Sequence, residues 1–356
     1  MLIPISITPT KDIVAETEVE KVEFETLGLT EAKIEEFIRK NIRLIFDEEE
    51  DDETLLIVGQ QVINLKGARN DLVALDGNGN LVLIEIKRDA ADMASRMEAM
   101  EFQAVRYAAS LATIATVDDL VERVFSRYIR KWQQEFDLHE LTPEELGKRI
   151  VNGFLSKNNA DKSFNKRQRI ILVSSTFDEQ TLSAAAWMSA NGIDISCISL
   201  NPIRAVGSPN GPLYLAAKKL IPAKKIEDFF VEFRERADSI ASDIAISSET
   251  KKPRAALPRM PQLMEWGIVT PGMKLTLKGF NDSEATVRDA KTVEFKGEVI
   301  SFNEWGTRVT QWSAICIYDW AITPAGKTLS ELRAAKMKEE AQAINVALVH
   351  RPPEVA

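Results

Sequence analysis

Residues 80–93 read NLVLIEIKRDAADM, an apolar strand that runs straight into Glu85-Ile86-Lys87. Alternate strand side chains share a face, so Glu85 and Lys87 stand on one side together with Leu81 and Leu83. A carboxylate and an ammonium in that position suit either a surface ion pair or one half of a metal site. The rest of the chain has to decide between the two.

A second carboxylate bears on that choice. The segment DLVALDGNGNLVLIEIK holds a hairpin, for which a three-residue loop Gly77-Asn78-Gly79 with a left-handed Gly79 is a common closure. That loop pairs Asp76 with Asn80 and, stepping outward, sets Asp71 opposite Glu85 with Cβ atoms about 5 Å apart. Like charges directly opposite repel unless a cation stands between them, and a divalent ion together with Lys87 would supply it. A two- or four-residue loop would shift the register and put the acids on different faces.

Two helices add polar groups. Gln103, Arg106, Tyr107 and Ser110 fall at i, i+3, i+4 and i+7 on a segment otherwise rich in alanine and methionine. The small Ala104, Ala108 and Ala109 allow that helix to approach a sheet closely. Upstream, Thr30 is placed to cap a helix with an apolar stripe of Ile34, Phe37, Ile38 and Ile42, and Glu35 sits beside the stripe. Glu31 and Glu36 are near enough to take the place of Glu35.

The elements that must position these groups follow in order: a helix, three strands (TLLIVGQQVINL, DLVALD, LVLIEIK), a helix of roughly 94–113, a helical insertion of about 117–160, then strand, helix, strand. That order predicts a mixed α/β sheet with helices on its faces. Residues 1–30 read as an extended N-terminal extension and 237–259, rich in Ser, Ala, Pro and charge, as a linker. Residues 260–335 hold four tryptophans in a compact α+β pattern, and 336–356 form a charged helical tail with a frayed end.

The chain of 356 residues carries 54 acidic against 45 basic side chains, a net charge of −9 that argues mildly against a bulk polyanion as partner. One basic cluster nonetheless stands out in SKNNADKSFNKRQR, including Lys166 and Arg167, and the acidic run at 47–53 reads as a solvated loop. No apolar run approaches the roughly 18 residues of a membrane span, and the first residues lack the features of a signal peptide. Cys197 and Cys316 read as buried thiols of a reducing compartment. His139 and His350 are isolated, which argues against histidine-based or zinc chemistry.

Asp71, then Glu85-x-Lys87, then Gln103-x-x-x-Tyr107, with Glu35 in a preceding helix, resembles the PD-(D/E)XK nuclease superfamily. The Gln-x-x-x-Tyr helix is similar to the branch containing the RecB nuclease domain, and the first 230 residues resemble NucS-like endonuclease domains. Asn70 stands where the motif has proline. The resemblance implies a restriction-endonuclease-like mixed sheet flanked by helices, spanning 31–236. It further implies Mg²⁺, for which Mn²⁺ can substitute, held by Asp71, Glu85 and the Ile86 carbonyl, with Glu35 at the metal directly or through water. Lys87 would position or deprotonate the attacking water, or neutralise the developing phosphorane, while Gln103 and Tyr107 would orient phosphate or Lys87. Lys66, Arg69, Arg88, Arg106, Lys166 and Arg167 are candidate DNA contacts, although a strand-edge charge is the simpler reading of Lys66 and Arg69 and an ordinary helix-surface charge that of Arg88 and Arg106.

The C-terminal region resembles RAMA domains (restriction enzyme adenine methylation associated), on Thr270-Pro271-Gly272, Ala285-Thr286-Val287, the Gly297 turn before Ser301, and Trp320. Such domains are proposed to sense modified bases, and Trp305, Arg308 and Trp312 are the candidate DNA contacts here. Together these resemblances imply a cytoplasmic, metal-dependent DNA endonuclease of restriction or phage defence, acting as a homodimer where both strands are cut. A non-catalytic DNA-binding or scaffold protein on the same fold is the rival expectation.

Overall fold

The computed structural model describes residues 5–15, 19–46, 53–63, 69–89, 98–207, 211–222 and 257–349; at 5–7, 13–15 and 341–349 it describes the backbone alone. Lys66, His350 and most of the expected linker and acidic run lie outside the described residues. The chain divides into two compact units, Met1–Asp47 with Leu56–Ala255 and Glu48–Leu55 with Ala256–Ala356.

The first unit begins with a small hairpin, β1 (Ile5–Ile7) and β2 (Ile13–Ala15), followed by β3 (Val19–Lys21) and α1 (Glu31–Asn41). Three strands follow, β4 (Leu55–Ile63), β5 (Arg69–Asp76) and β6 (Leu81–Lys87), then α2 (Met100–Leu111). Three helices form the insertion: α3 (Val117–Leu120), which passes through a π turn (Val121–Phe125) into α4 (Ser126–Lys131), and α5 (Pro143–Lys157). The unit closes with β7 (Gln168–Ser174), α6 (Glu179–Ala190), β8 (Asp194–Ala205) and β9 (Tyr214–Ile221).

Strands β3 to β9 make a seven-stranded mixed sheet in the order β3-β8-β7-β6-β5-β4, with β9 also paired to β8. β6, β7 and β8 run parallel while β5–β6 is an antiparallel hairpin. The expected element order is therefore present, and two strands join it that the apolar pattern did not predict. β3 comes from the stretch read as an extension, and β9 from a half-exposed stretch, LYLAAKKLI, with no clean alternation.

The central strands explain their own composition. Leu72–Leu75 and Leu81–Ile84 are wholly buried, as expected of strands covered on both faces. Thr30 caps α1 by accepting from the Lys33 N–H, and α1 packs on β5 and β6. Its stripe is narrower than expected: Ile34, Ile38 and Ile42 are buried, but Phe37 is exposed and Glu35 and Arg39 are buried instead. α2 packs on β6 and β7 through Ala104 and Ala108, whereas Ala109 faces solvent.

In the second unit, α7 (Met260–Glu265) leads into β10 (Lys274–Leu277), β11 (Ala285–Val287), β12 (Thr292–Phe295) and β13 (Glu298–Ser301). Then come α8 (Phe302–Thr310), α9 (Ile317–Trp320), β14 (Ala321–Ile322) and α10 (Leu329–Val349). Four strands precede α8. TVEFKGEVIS folds back on itself at Lys296-Gly297, both with positive φ (50° and 84°), which is the conformation of a tight two-residue hairpin turn. Ser301 caps α8 by accepting from the Glu304 N–H. Thr54 Oγ1 accepts from the Cys316 N–H (3.1 Å) and Leu55 bridges to Ala314, so this short stretch belongs to the second unit. Among the described residues no helix is long and apolar enough to cross a membrane.

Candidate active site

The loop after β5 closes by an Asp76 N–H bond to the Asn80 carbonyl (2.9 Å) and a Gly79 N–H bond to the Asp76 carbonyl (2.9 Å). Asp76 Oδ1 takes the Asn78 and Asn80 N–H groups, and Gly79 has φ +84°. The resulting register pairs Leu72 with Ile84 and Leu75 with Leu81. Carried one step further out, that register sets Asp71 opposite Glu85. This is the register expected from a three-residue loop.

Both acids are buried, Asp71 at 6% and Glu85 at 1% exposure, so the Glu85–Lys87 pair is no surface ion pair. Lys87 Nζ lies 3.5 Å from Glu85 Oε1 and 3.4 Å from Glu31 Oε1. Asp71 Oδ2 accepts the Ile86 N–H at 2.7 Å. Glu35, 3% exposed, comes in from α1. Its Oε2 accepts from Gln61 Nε2 at 2.5 Å, and the same amide nitrogen lies 3.3 Å from Asp71 Oδ1. Glu85 Oε2 and Glu35 Oε1 are buried without a hydrogen-bond partner among the described residues.

Burial pushes the Asp71 carboxyl up to about 7, against the pull of Lys87 and the Ile86 N–H. Burial, and then the neighbouring Asp71, hold Glu85 well above the ordinary carboxylate range. Burial also raises Glu35, against donors from Gln61 and Gln60. Burial alone would lower Lys87, but Asp71, Glu85 and Glu31 outweigh it and raise the ammonium. Three acids and one cation thus form a pocket of excess negative charge that is costly without further positive charge.

The other candidates divide. Glu31 joins the cluster through Lys87, whereas Glu36 is held by Arg39 and Lys40. Gln103 Nε2 donates to Tyr107 Oη at 3.1 Å, and neither side chain is hydrogen-bonded to Asp71, Glu85 or Lys87. Arg69 is exposed two residues before Asp71 on the same strand face. Arg88 is taken up by the Leu29 carbonyl, Glu25 and Asp89, so it braces the strand end. Arg106 is exposed and paired with Glu98.

Lys166 and Arg167 are exposed, but they precede β7 and sit at the hairpin end of the sheet. That is about five residues, roughly 17 Å, from Glu85 along the strands. Trp305 is fully buried and its indole N–H donates to the Ser283 carbonyl (2.9 Å), so it is a core residue with no face for DNA. Trp312 is buried too, edge-on to Trp320 at 4.8 Å. Of that trio only Arg308 reaches solvent, and it is paired with Glu298 and Glu304.

No family model, curated protein or solved structure matches this chain. Its chemistry therefore rests on the cluster itself. Among the described residues no three His, Cys, Asp or Glu side chains gather as a metal-binding group. The two bare buried oxygens, on Glu35 and Glu85, are hard carboxylate donors in a cluster where the acids outnumber Lys87. Such a set fits a cation that accepts few protein oxygens and keeps several waters, as magnesium does, and does not fit zinc.

Two residues escaped the pattern of the sequence. Gln61 lies in a run readable simply as strand; the signal was the pair Gln60-Gln61 interrupting an otherwise apolar LLIVG. Asp89, just past β6, is buried and accepts the Phe24 and Glu25 N–H groups and Ser175 Oγ, tying the segment before α1 to the end of the site strand.

Proposed function

We propose that this protein is a magnesium-dependent phosphodiester hydrolase acting on DNA, with Asp71, Glu85 and Lys87 at its centre. The single observation that carries this reading is the facing pair Asp71 and Glu85, buried beside Lys87, with bare oxygens on Glu85 and Glu35. Folding two acids against one another beside one lysine is unfavourable, and a cation-binding role gives the arrangement a reason.

In this reading Asp71, Glu85 and the Ile86 carbonyl hold the ion. When bound, magnesium would acidify a water and offset charge on the scissile phosphate. Lys87, whose ammonium lies inside the cluster, would orient that water or face the charge gathering on the phosphate oxygens. The bare Glu35 oxygen is placed to accept a proton or to hold a water. Arg69, exposed on the Asp71 side of β5, is the candidate contact to the DNA backbone, and Gln103 and Tyr107 support β6 and β7 from α2.

The described residues of the second unit include no buried carboxylate, so hydrolysis is assigned to the first unit and engagement of particular DNA, methylated or not, to the second. Cutting both strands calls for two such sites, hence two copies. The test is cleavage of methylated and unmethylated plasmid by wild type, Glu85→Gln and Lys87→Ala, with Mg²⁺ or EDTA. Cleavage by wild type alone and only with metal supports the proposal. Binding by all three proteins with cleavage by none favours a scaffold.

A further inference from the structure

Gln61 sits in β4 with φ +53°, a left-handed conformation that is strained for a non-glycine residue. In a regular strand Gln60 and Gln61 would point to opposite faces. The left-handed residue breaks that alternation, and its neighbourhood holds the break in place. A Cβ on the preceding Gly59 would lie 2.6 Å from Val62 Cγ2 and 2.7 Å from Val124 Cγ1, so the backbone there runs as close as glycine allows. Gln60 Oε1 accepts from Lys131 Nζ (2.7 Å) and Trp132 Nε1 (3.0 Å), which anchors this stretch to α4 and the residue after it.

The product of that distortion is one amide nitrogen set between two buried acids, 2.5 Å from Glu35 Oε2 and 3.3 Å from Asp71 Oδ1. An amide has two N–H groups, one for each acid, and the flipped orientation would press its carbonyl oxygen against both carboxylates. With this bond made, and with the Ile86 N–H on Asp71 Oδ2, the bare oxygens left are Glu35 Oε1 and Glu85 Oε2. A lysine or arginine here would also hold the acids, but its charge would compete with a divalent ion. A neutral donor does not.

We infer that Gln61 is a positioning residue that tethers Glu35 of α1 to Asp71 of β5 and so makes a helix carboxylate part of the cation site. Its meaning for catalysis rests on the hydrolase reading above; the tether itself does not.

Two measurements test it. The first is a double-mutant cycle of Gln61→Met and Glu35→Met, which leaves no acceptor for the amide, read as melting temperature without metal. If the tether exists, the double variant melts no lower than the worse single variant, because each substitution removes the same contact. Additive losses would overturn it. The second is Mn²⁺ affinity by electron paramagnetic resonance. Gln61→Met is expected to weaken it about tenfold, and unchanged affinity at unchanged stoichiometry would overturn the positioning role. If Gln61→Met does not fold, Gln61→Gly, which is at ease at positive φ, carries both measurements. Wild type that binds no Mn²⁺ would sink the hydrolase reading and the role in a cation site with it, while the cycle would still decide the tether.

Discussion

Lys87 Nζ lies 3.5 Å from Glu85 Oε1, and the two side chains share one face of a strand buried at the centre of the sheet. Breaking a buried pair leaves an uncompensated charge, at a cost of about 3–5 kcal/mol where the survivor stays ionised. At acid pH Glu85 and Asp71 escape that cost by taking up protons. Lys87→Met is therefore expected to lower the melting temperature strongly at pH 8 and little at pH 5. Circular dichroism melts at the two pH values check this; equal losses would refute it.

Asp71 gives the protein a pH dependence with a definite sign. Its folded value of about 7 lies above its ordinary 3.8. The folded chain keeps a proton that the unfolded chain releases, so this contribution is whole below about pH 4 and is lost as pH rises through about 7. Asp71→Asn cannot ionise. It should melt higher than wild type at pH 8, with a flatter profile, while losing cleavage. A variant that melts lower at pH 8 would show that the acid is paid back elsewhere in the fold.

A cation that binds the ionised acids stabilises the fold by an amount that grows with the logarithm of its concentration over Kd, about 2.7 kcal/mol at a hundredfold excess. Millimolar Mg²⁺ is expected to raise the melting temperature of wild type at pH 8, and less at pH 5 where protons compete. EDTA reverses the gain and Glu85→Gln abolishes it. Absence of any shift in wild type would count against cation binding at this site.

Gly79 holds the hairpin register. At φ +84°, with the Ala160 carbonyl oxygen 3.2 Å from where a Cβ would stand, Gly79→Ala is strained in both backbone and packing. The expected loss is about 1–2 kcal/mol in urea unfolding. No loss would mean the turn can close in another way.

In the second unit, Trp305→Ala should cost about 3–5 kcal/mol, because it empties a fully buried site and strands the Ser283 carbonyl. Arg308→Ala should leave the melting temperature nearly unchanged and weaken retention on DNA. The reverse pattern in calorimetry and filter binding would overturn this assignment.

Much of the fold could be read from residue order. β5 and β6 are legible because strands covered on both faces must be apolar throughout. The Gly77-Asn78-Gly79 loop sets their register because a left-handed glycine leaves few ways to close the turn. From those two facts Asp71 opposite Glu85 follows with no tertiary information. The cap at Thr30 was equally local, since a side-chain oxygen needs only the next turn's N–H groups.

The remainder depended on contacts between residues far apart in the chain. Trp305 and Trp312 look alike in sequence whether they face DNA or a core, and only the packing of α8 on β12, β13 and α9, and of Trp312 on Phe280 and Trp320, buries them. The basic cluster near 166 lies at the far end of the strands because β6 and β7 run parallel, a matter of crossover direction that no local pattern records. Gln61 meets Glu35 across 26 residues through a left-handed kink that strand periodicity cannot anticipate. Local residue types thus determined which acids could meet; the three-dimensional path of the chain decided how deeply they are buried and what holds them, because burial and long-range hydrogen bonds exist only once the sheet has closed.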